Sequence, residues 1–240
     1  MAKPSSEFLR TALEHGEIEL KGQFTLGSNY TFLVTVRHAG QEIPAVYKPM
    51  RGEQPLWDFP PASLAGREVA AHLVSEAIGF GFVPLTILRD GPFGPGSLQQ
   101  YIDYNPNYHY FTFKPADRQR LRPVTLFDLL INNGDRKGSH ILVQKRTRKL
   151  YLIDHGLCFH AEDKLRTVLW DFAGEDIPPE LLSTLEAFRS ILPGSLSTAL
   201  AAYLLPEEIT ALGCRAEALL TSPVFPDPPE DRRAYPYPPL

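Results

Sequence analysis

Sulfur is scarce in this sequence. Its 240 residues hold two cysteines, Cys158 and Cys214, with no C-x-x-C spacing. That excludes a disulfide framework and a thiolate zinc site. No apolar run reaches the length of a membrane span. The start, Met1-Ala2-Lys3-Pro4-Ser5-Ser6-Glu7, lacks a signal-peptide core, so a cytoplasmic location is expected and the sequon Asn29-Tyr30-Thr31 has no consequence. Charge of one sign is missing too: the net charge is −4, which gives no global pull toward nucleic acid or anionic lipid. Lys145, Arg146, Arg148 and Lys149 fall together, and read as a solvated hairpin turn. Internal repeats are absent.

What is present divides along the chain. After a short helix over 7–15, β-branched and aromatic segments (18–20, 24–26, 30–36, 43–47) are broken by Gly27-Ser28-Asn29 and Ala39-Gly40-Gln41, an antiparallel meander. A helix is expected from Ser63 to Ile78, ended by Gly79 in a left-handed cap. Two more strands follow at 83–88 and 96–102, around the turn Asp90-Gly91-Pro92. Beyond a polar, aromatic connector, a helix over 118–132 leads to short strands at 141–143 and 150–153, and helices dominate from Pro178. Seven prolines between Pro223 and Pro239 predict an extended, mobile tail that offers itself to a protein partner. The expected organisation is α+β: an N-lobe over 1–102 with an antiparallel sheet and one helix, a mainly helical C-lobe over 103–222, and a proline-rich tail over 223–240.

The chemistry concentrates in Gly134-Asp135-Arg136-Lys137-Gly138-Ser139-His140 and in Leu150-Tyr151-Leu152-Ile153-Asp154-His155-Gly156. Two carboxylates, one on a polar loop and one closing a strand, can divide a phosphoryl transfer. One orients the attacking hydroxyl, and the other holds the metal that bridges nucleotide phosphates. Asp135 is the candidate for proton handling. Arg136 is read as steadying the loop or the transferring phosphoryl, with Lys137 beside it. Asp154 is the candidate magnesium ligand. Lys48, at the end of the strand Ala45-Val46-Tyr47, suits the α- and β-phosphates, and Glu68 lies twenty residues on in the helix, where a partner for it is needed. Helical spacing puts Glu68 opposite the Val69, Leu73, Ala77 stripe, on a face that either lines a cleft or meets solvent. Gly27, Ser28 and Asn29 form a turn able to cradle phosphate, or simply a hairpin.

These residues resemble the phosphatidylinositol 3-/4-kinase-like branch of the protein-kinase-like fold, most closely the type II phosphatidylinositol 4-kinases. The matching segments are Ala45-Val46-Tyr47-Lys48-Pro49, Gly134-Asp135-Arg136 and Ile153-Asp154-His155-Gly156-Leu157-Cys158-Phe159. The HipA-like toxin kinases share the same skeleton. The resemblance covers about residues 20–160. It implies a kinase using ATP and Mg²⁺, with Gly27, Ser28 and Asn29 over the phosphates, Lys48 on them and Glu68 anchoring it. It also implies backbone at Gln100, Tyr101 and Ile102 against adenine, Asp135 in catalysis, and Asp154 on metal. His140 departs from the pattern, standing where such kinases carry asparagine. Imidazole suits softer metals than magnesium, so Mn²⁺ is preferred, His140 serves the substrate, or a second metal is absent. A lipid head group, a protein or a small molecule could supply the acceptor hydroxyl. Two rival readings are a nucleotide-binding pseudokinase or docking module, and a metal hydrolase built from Asp135, His140, Asp154, His155 and His160.

Overall fold

A computed structural model describes residues 5–24 and 30–240. The Gly27-Ser28-Asn29 turn lies outside the described residues. Helix α1 (Ser6–His15) is capped by the Ser5 side chain, which accepts from the Phe8 N–H. Five antiparallel strands follow: β1 (Glu17–Phe24), β2 (Thr31–His38), β3 (Gln41–Pro49), β4 (Thr86–Gly91) and β5 (Gly94–Gln100), in the order β1-β2-β3-β5-β4. Helix α1 covers one face of this sheet, where Leu9, Ala12 and Leu13 pack on Val34, Val36, Ala45, Tyr47 and Leu98. The strand expected over 83–88 begins later, because Pro84 has no N–H to donate and the Phe82 and Val83 amides are taken by Ser75 Oγ.

Helix α2 (Leu64–Ala77) ends as its sequence indicates, with Gly79 at φ +81°. It has no solvent face over its first nine residues; Leu64 to His72 are all buried. Ala70, Ala71 and Val74 enter the main core with Leu126, Phe127 and Leu130, so the helix belongs as much to the C-lobe as to the sheet. Arg67 pins it there, donating to Cys158 O at 2.6 Å and pairing with Glu208 at 2.5 Å.

The helical part comprises α3 (Pro115–Arg118), α4 (Arg122–Ile131), α5 (Pro179–Ile191), α6 (Ser197–Leu200) and α7 (Pro206–Thr221), with a separate two-stranded antiparallel ribbon of β6 (Ile141–Val143) and β7 (Leu150–Leu152). The proline-rich end corrects its expectation. It is extended, but bound along the C-lobe rather than free. Proline fixes φ yet leaves its carbonyl to accept, and here Pro223 O accepts from Ile177 N–H, Ala234 O from Thr167 N–H and Pro239 O from Gly138 N–H, at 2.7–3.1 Å. Phe225 is buried in the core.

Candidate active site

Strand alternation sends Tyr47 into the sheet core and Lys48 toward the C-lobe. There Lys48 Nζ bonds Glu68 Oε1 and, at 2.8 Å, Asp154 Oδ1. Glu68 was open between cleft and solvent on helical spacing; it is buried and paired. Burial is the largest single influence and disfavours its charge, but Lys48 and the hydrogen bond from His155 together outweigh it and bring it down to about 2. The same carboxylates raise Lys48 against the opposing effect of burial, and Lys48 holds Asp154 well below the usual range. Asp154 sits in the left-handed region at φ +64° and is half-exposed to the cleft, a sparsely populated conformation that concentrates at functional sites.

His140 Nε2 lies 3.2 Å from Asp154 Oδ2. Burial pushes its imidazole down to about 4, so the ring is neutral near pH 7. Its Nδ1 accepts the Lys137 N–H at 3.5 Å. The proton is thereby assigned to Nε2, facing Asp154. Coordinating metal through Nε2 would require the other tautomer.

The loop between α4 and β6 is held by side chains of its own. Asn132 takes φ +53° and donates to His160 O and Glu162 O at 2.9 and 2.7 Å. Gly134 is required by contact, since a Cβ there would stand 2.9 Å from Leu157 O. Asp135 accepts an ion pair from Lys137 at 3.1 Å, and burial pushes its carboxyl upward. Arg136 does not face the cleft. It is fully buried and forks on Asp128, Nε to Oδ2 and Nη2 to Oδ1 both at 2.9 Å. Of the two roles expected for Arg136, bracing the loop fits this geometry and contact with a phosphoryl does not.

Lys48, Glu68, Asp154 and His140 share a cavity of about 290 Å³. Val46 from β3 and Leu142 and Ile153 from the C-lobe line it, with Gln100, Tyr101 and Ile102 at its back. The Gln100 and Tyr101 amides are engaged, donating to Leu85 O and Pro44 O at 2.8 and 3.1 Å. The five residues of the hydrolase reading do not converge: His160 turns to Asp58 O and His155 is buried against Arg136, and no group of three or more metal-ligating side chains forms among the described residues. The exposed carboxylate of Asp154 presents hard oxygen atoms to the cleft, the donor type that a magnesium-like cation takes in small number.

Sequence reasoning missed Glu53, Asp128 and Asn133. Glu53 lines the cleft and accepts the Leu64 and Ala65 amides at the start of α2, at 3.2 and 2.8 Å. Nothing in its surroundings marks it. Asp128 could have been found, as a carboxylate inside Leu126-Phe127-Asp128-Leu129-Leu130-Ile131 is buried and needs a partner.

The fold is shared with two kinase-like structures. Hydra Fam20 with sugar superposes with a TM-score of 0.60 at 12% identity, over 90% of this chain and 87% of that one. The proinflammatory kinase CtkA of Helicobacter pylori gives a TM-score of 0.52 at 12% identity, over 88% and 93%. These likenesses show a protein-kinase-like fold. Among the described residues, no helix is long and apolar enough to cross a membrane. No family model matches the chain. Over an alignment 261 positions long, gaps included, it is 40% identical to Protein Rv2133c of Mycobacterium tuberculosis (strain ATCC 25618 / H37Rv), spanning 94% of this chain and 93% of that protein, and it belongs to that protein's family.

Proposed function

We propose that this chain is an ATP-dependent phosphotransferase that moves the γ-phosphoryl of ATP to a hydroxyl acceptor. The observation that carries the reading is the convergence of Lys48, Glu68 and Asp154 in one cleft of a kinase-like fold. Lys48 would steady the α- and β-phosphates, with Glu68 fixing its ammonium. Val46, Leu142 and Ile153 offer an apolar slot for the adenine, met by backbone at Ile102 and the neighbouring carbonyls. Gly27 to Asn29 would cover the phosphates. Asp154 would hold Mg²⁺ or Mn²⁺, which when bound offsets phosphate charge. Asp135, its carboxyl raised by burial, would orient the acceptor hydroxyl and take its proton, with Lys137 close by. The lobes are assigned to 1–102 and 103–222, the family branch to phosphatidylinositol 3-/4-kinase-like enzymes, and the site of action to the cytoplasm.

An aromatic groove of about 600 Å³ lies beside the loop, lined by Tyr110, Phe111, Trp170, Asp171 and Tyr237. Its walls reach Gly138, which abuts Phe111 and donates to Pro239 O. This groove is our candidate seat for the acceptor, and it leaves the tail part of the groove rather than a ligand for another protein.

The second reading, a nucleotide-binding pseudokinase, draws on the Lys48–Asp154 ion pair and the neutral His140. Labelled ATP with Mg²⁺ or Mn²⁺ separates the two. Phosphotransfer or slow ATP hydrolysis by the wild type, lost in Asp154→Ala, is expected. Equal rates for both proteins would sink the enzyme assignment, and a nucleotide-dependent thermal shift without turnover would favour the pseudokinase.

A further inference from the structure

His155 follows the candidate metal ligand directly, and the phosphotransferase reading gives it no role. Its ring is fully buried, edge-on to Phe127 with centroids 6.1 Å apart. Its surroundings are charged. The backbone N–H donates to Glu68 Oε2 at 3.1 Å, and ring Nε2 lies 2.9 Å from Arg136 Nη2. A guanidinium has donors and no acceptor, so Nε2 must be the unprotonated nitrogen and the hydrogen sits on Nδ1. That Nδ1 has no hydrogen-bond partner among the described residues and lies 3.8 Å from Glu68 Oε2.

The contacts continue in both directions. Glu68 holds Lys48. Arg136 forks on Asp128, whose Oδ1 accepts from Asn133 Nδ2 at 3.1 Å, and Asn133 Oδ1 accepts the Asp135 N–H at 3.0 Å. A polar chain therefore runs Lys48, Glu68, His155, Arg136, Asp128, Asn133, Asp135, in which the His155 backbone N–H makes the bond to Glu68 and the ring Nδ1 stands 3.8 Å short of it. Its five inner members are at most 3% exposed. His155 is the link that crosses from the lysine side to the loop side, and it is held by a donor on one flank and aimed at an acceptor on the other.

We propose that His155 is a positioning residue that couples the Lys48–Glu68 pair to the loop carrying Asp135, so that a nucleotide engaged at Lys48 tightens that loop. The coupling rests on the phosphotransferase reading for its purpose but not for its existence. Closing the 3.8 Å gap would give Glu68 a second donor from the same residue and draw the ring, and Arg136 with it, toward α2. A ring without nitrogens at this place would transmit nothing, leaving Arg136 Nη2 with Asp128 alone and one of its two hydrogens unpaired.

Hydrogen exchange on the full chain, with and without a non-hydrolysable ATP analogue and Mg²⁺, tests this. In the wild type, analogue binding should slow exchange across 132–140. His155→Phe should still bind the analogue, read as a thermal shift, but lose that response. His155→Gln, whose amide can accept from Arg136 and donate to Glu68, should restore it. If turnover is measurable, His155→Phe should lower kcat by about 10–100-fold with a smaller change in KM for ATP. An equal loop response in wild type and His155→Phe overturns the proposal; if that variant does not fold, the same comparison is made with His155→Asn, too short to bridge both partners. Should the wild type bind no nucleotide, the phosphotransferase reading fails instead. The coupling is then decided by the thermal midpoints of Glu68→Gln, His155→Phe and the double variant, where additive shifts overturn it and non-additive shifts sustain it.

Discussion

Asp128→Asn isolates one buried charge. The variant keeps shape and the oxygen that accepts from Asn133, but leaves the Arg136 guanidinium without its carboxylate. Both partners are at most 1% exposed, and the fork has two 2.9 Å contacts. Breaking such a pair from one side costs about 3–5 kcal/mol, because the remaining charge stays buried. Arg136 retains Ile153 O at 3.0 Å and His155 Nε2 at 2.9 Å, which places the expected loss near the lower end, about 3 kcal/mol. Against a total stability of roughly 5–15 kcal/mol that is a large fraction. At roughly 2–4 °C per kcal/mol for a chain of this size, the midpoint should fall by about 6–12 °C. The control is Glu175→Gln at the Arg122 pair, where Glu175 is 46% exposed and about 0–1 kcal/mol is at stake. Urea unfolding and calorimetry read both variants. An Asp128→Asn protein within about 1 kcal/mol of wild type, at unchanged m, would refute the claim that this pair braces the loop.

Three further outcomes are expected. Phe225→Ala, at a residue 1% exposed, should cost about 3–5 kcal/mol, and limited proteolysis should spare 223–240 in the wild type; ready cleavage there would show the segment free. His72 is buried with Nδ1 donating to Val83 O at 3.2 Å, and burial lowers its pKa from 6.5. The unfolded chain therefore binds the extra proton first, so stability is present above pH 6.5 and declines as pH falls below it. His72→Gln should flatten that acid limb in midpoint-versus-pH scans, and an unchanged slope would remove His72 as its source. Lys48→Met should lower ATP turnover by about 10²-fold or more while the protein stays folded by circular dichroism, whereas wild-type rates would deny Lys48 its place on the phosphates.

The sheet-then-helix order was legible because period-2 and period-3.6 patterns are separated along the chain, with Gly79 ending α2 where its permissive backbone is needed. The pairing of Lys48 with Glu68 was legible too, but the burial of Glu68 was not. A helical wheel assumes one apolar and one wet face, and α2 is enclosed by sheet and C-lobe together, so its polar side chains answer to partners distant in sequence. Sequence left Arg136 open between steadying the loop and meeting the phosphoryl, because its neighbours Asp135 and Lys137 do not reveal that the backbone turns it inward to a carboxylate eight residues back while they stay near the surface. The tail misled through composition: proline content reports missing donors and fixed φ, and says nothing of the carbonyls by which this segment is tied down.

The placement of α2 also constrains how the cleft can change. Glu68 is fixed in the frame of the C-lobe, because its helix buries Ala70, Ala71 and Val74 among Leu126, Phe127 and Leu130 and anchors Arg67 on Glu208. Swinging α2 outward would break that buried ion pair, at about 3–5 kcal/mol. It would also expose Val74, at about 1.5–3 kcal/mol more. The sum approaches the stability of a whole domain, so the helix does not move as a separate switch. Lys48 belongs instead to the sheet, and its approach to Glu68 and Asp154 measures how near the sheet stands to the C-lobe. Opening of this cleft would therefore carry Lys48 away with β3, while Glu68 with the buried chain behind it stays with the C-lobe. Lys48 is the contact that such opening would break.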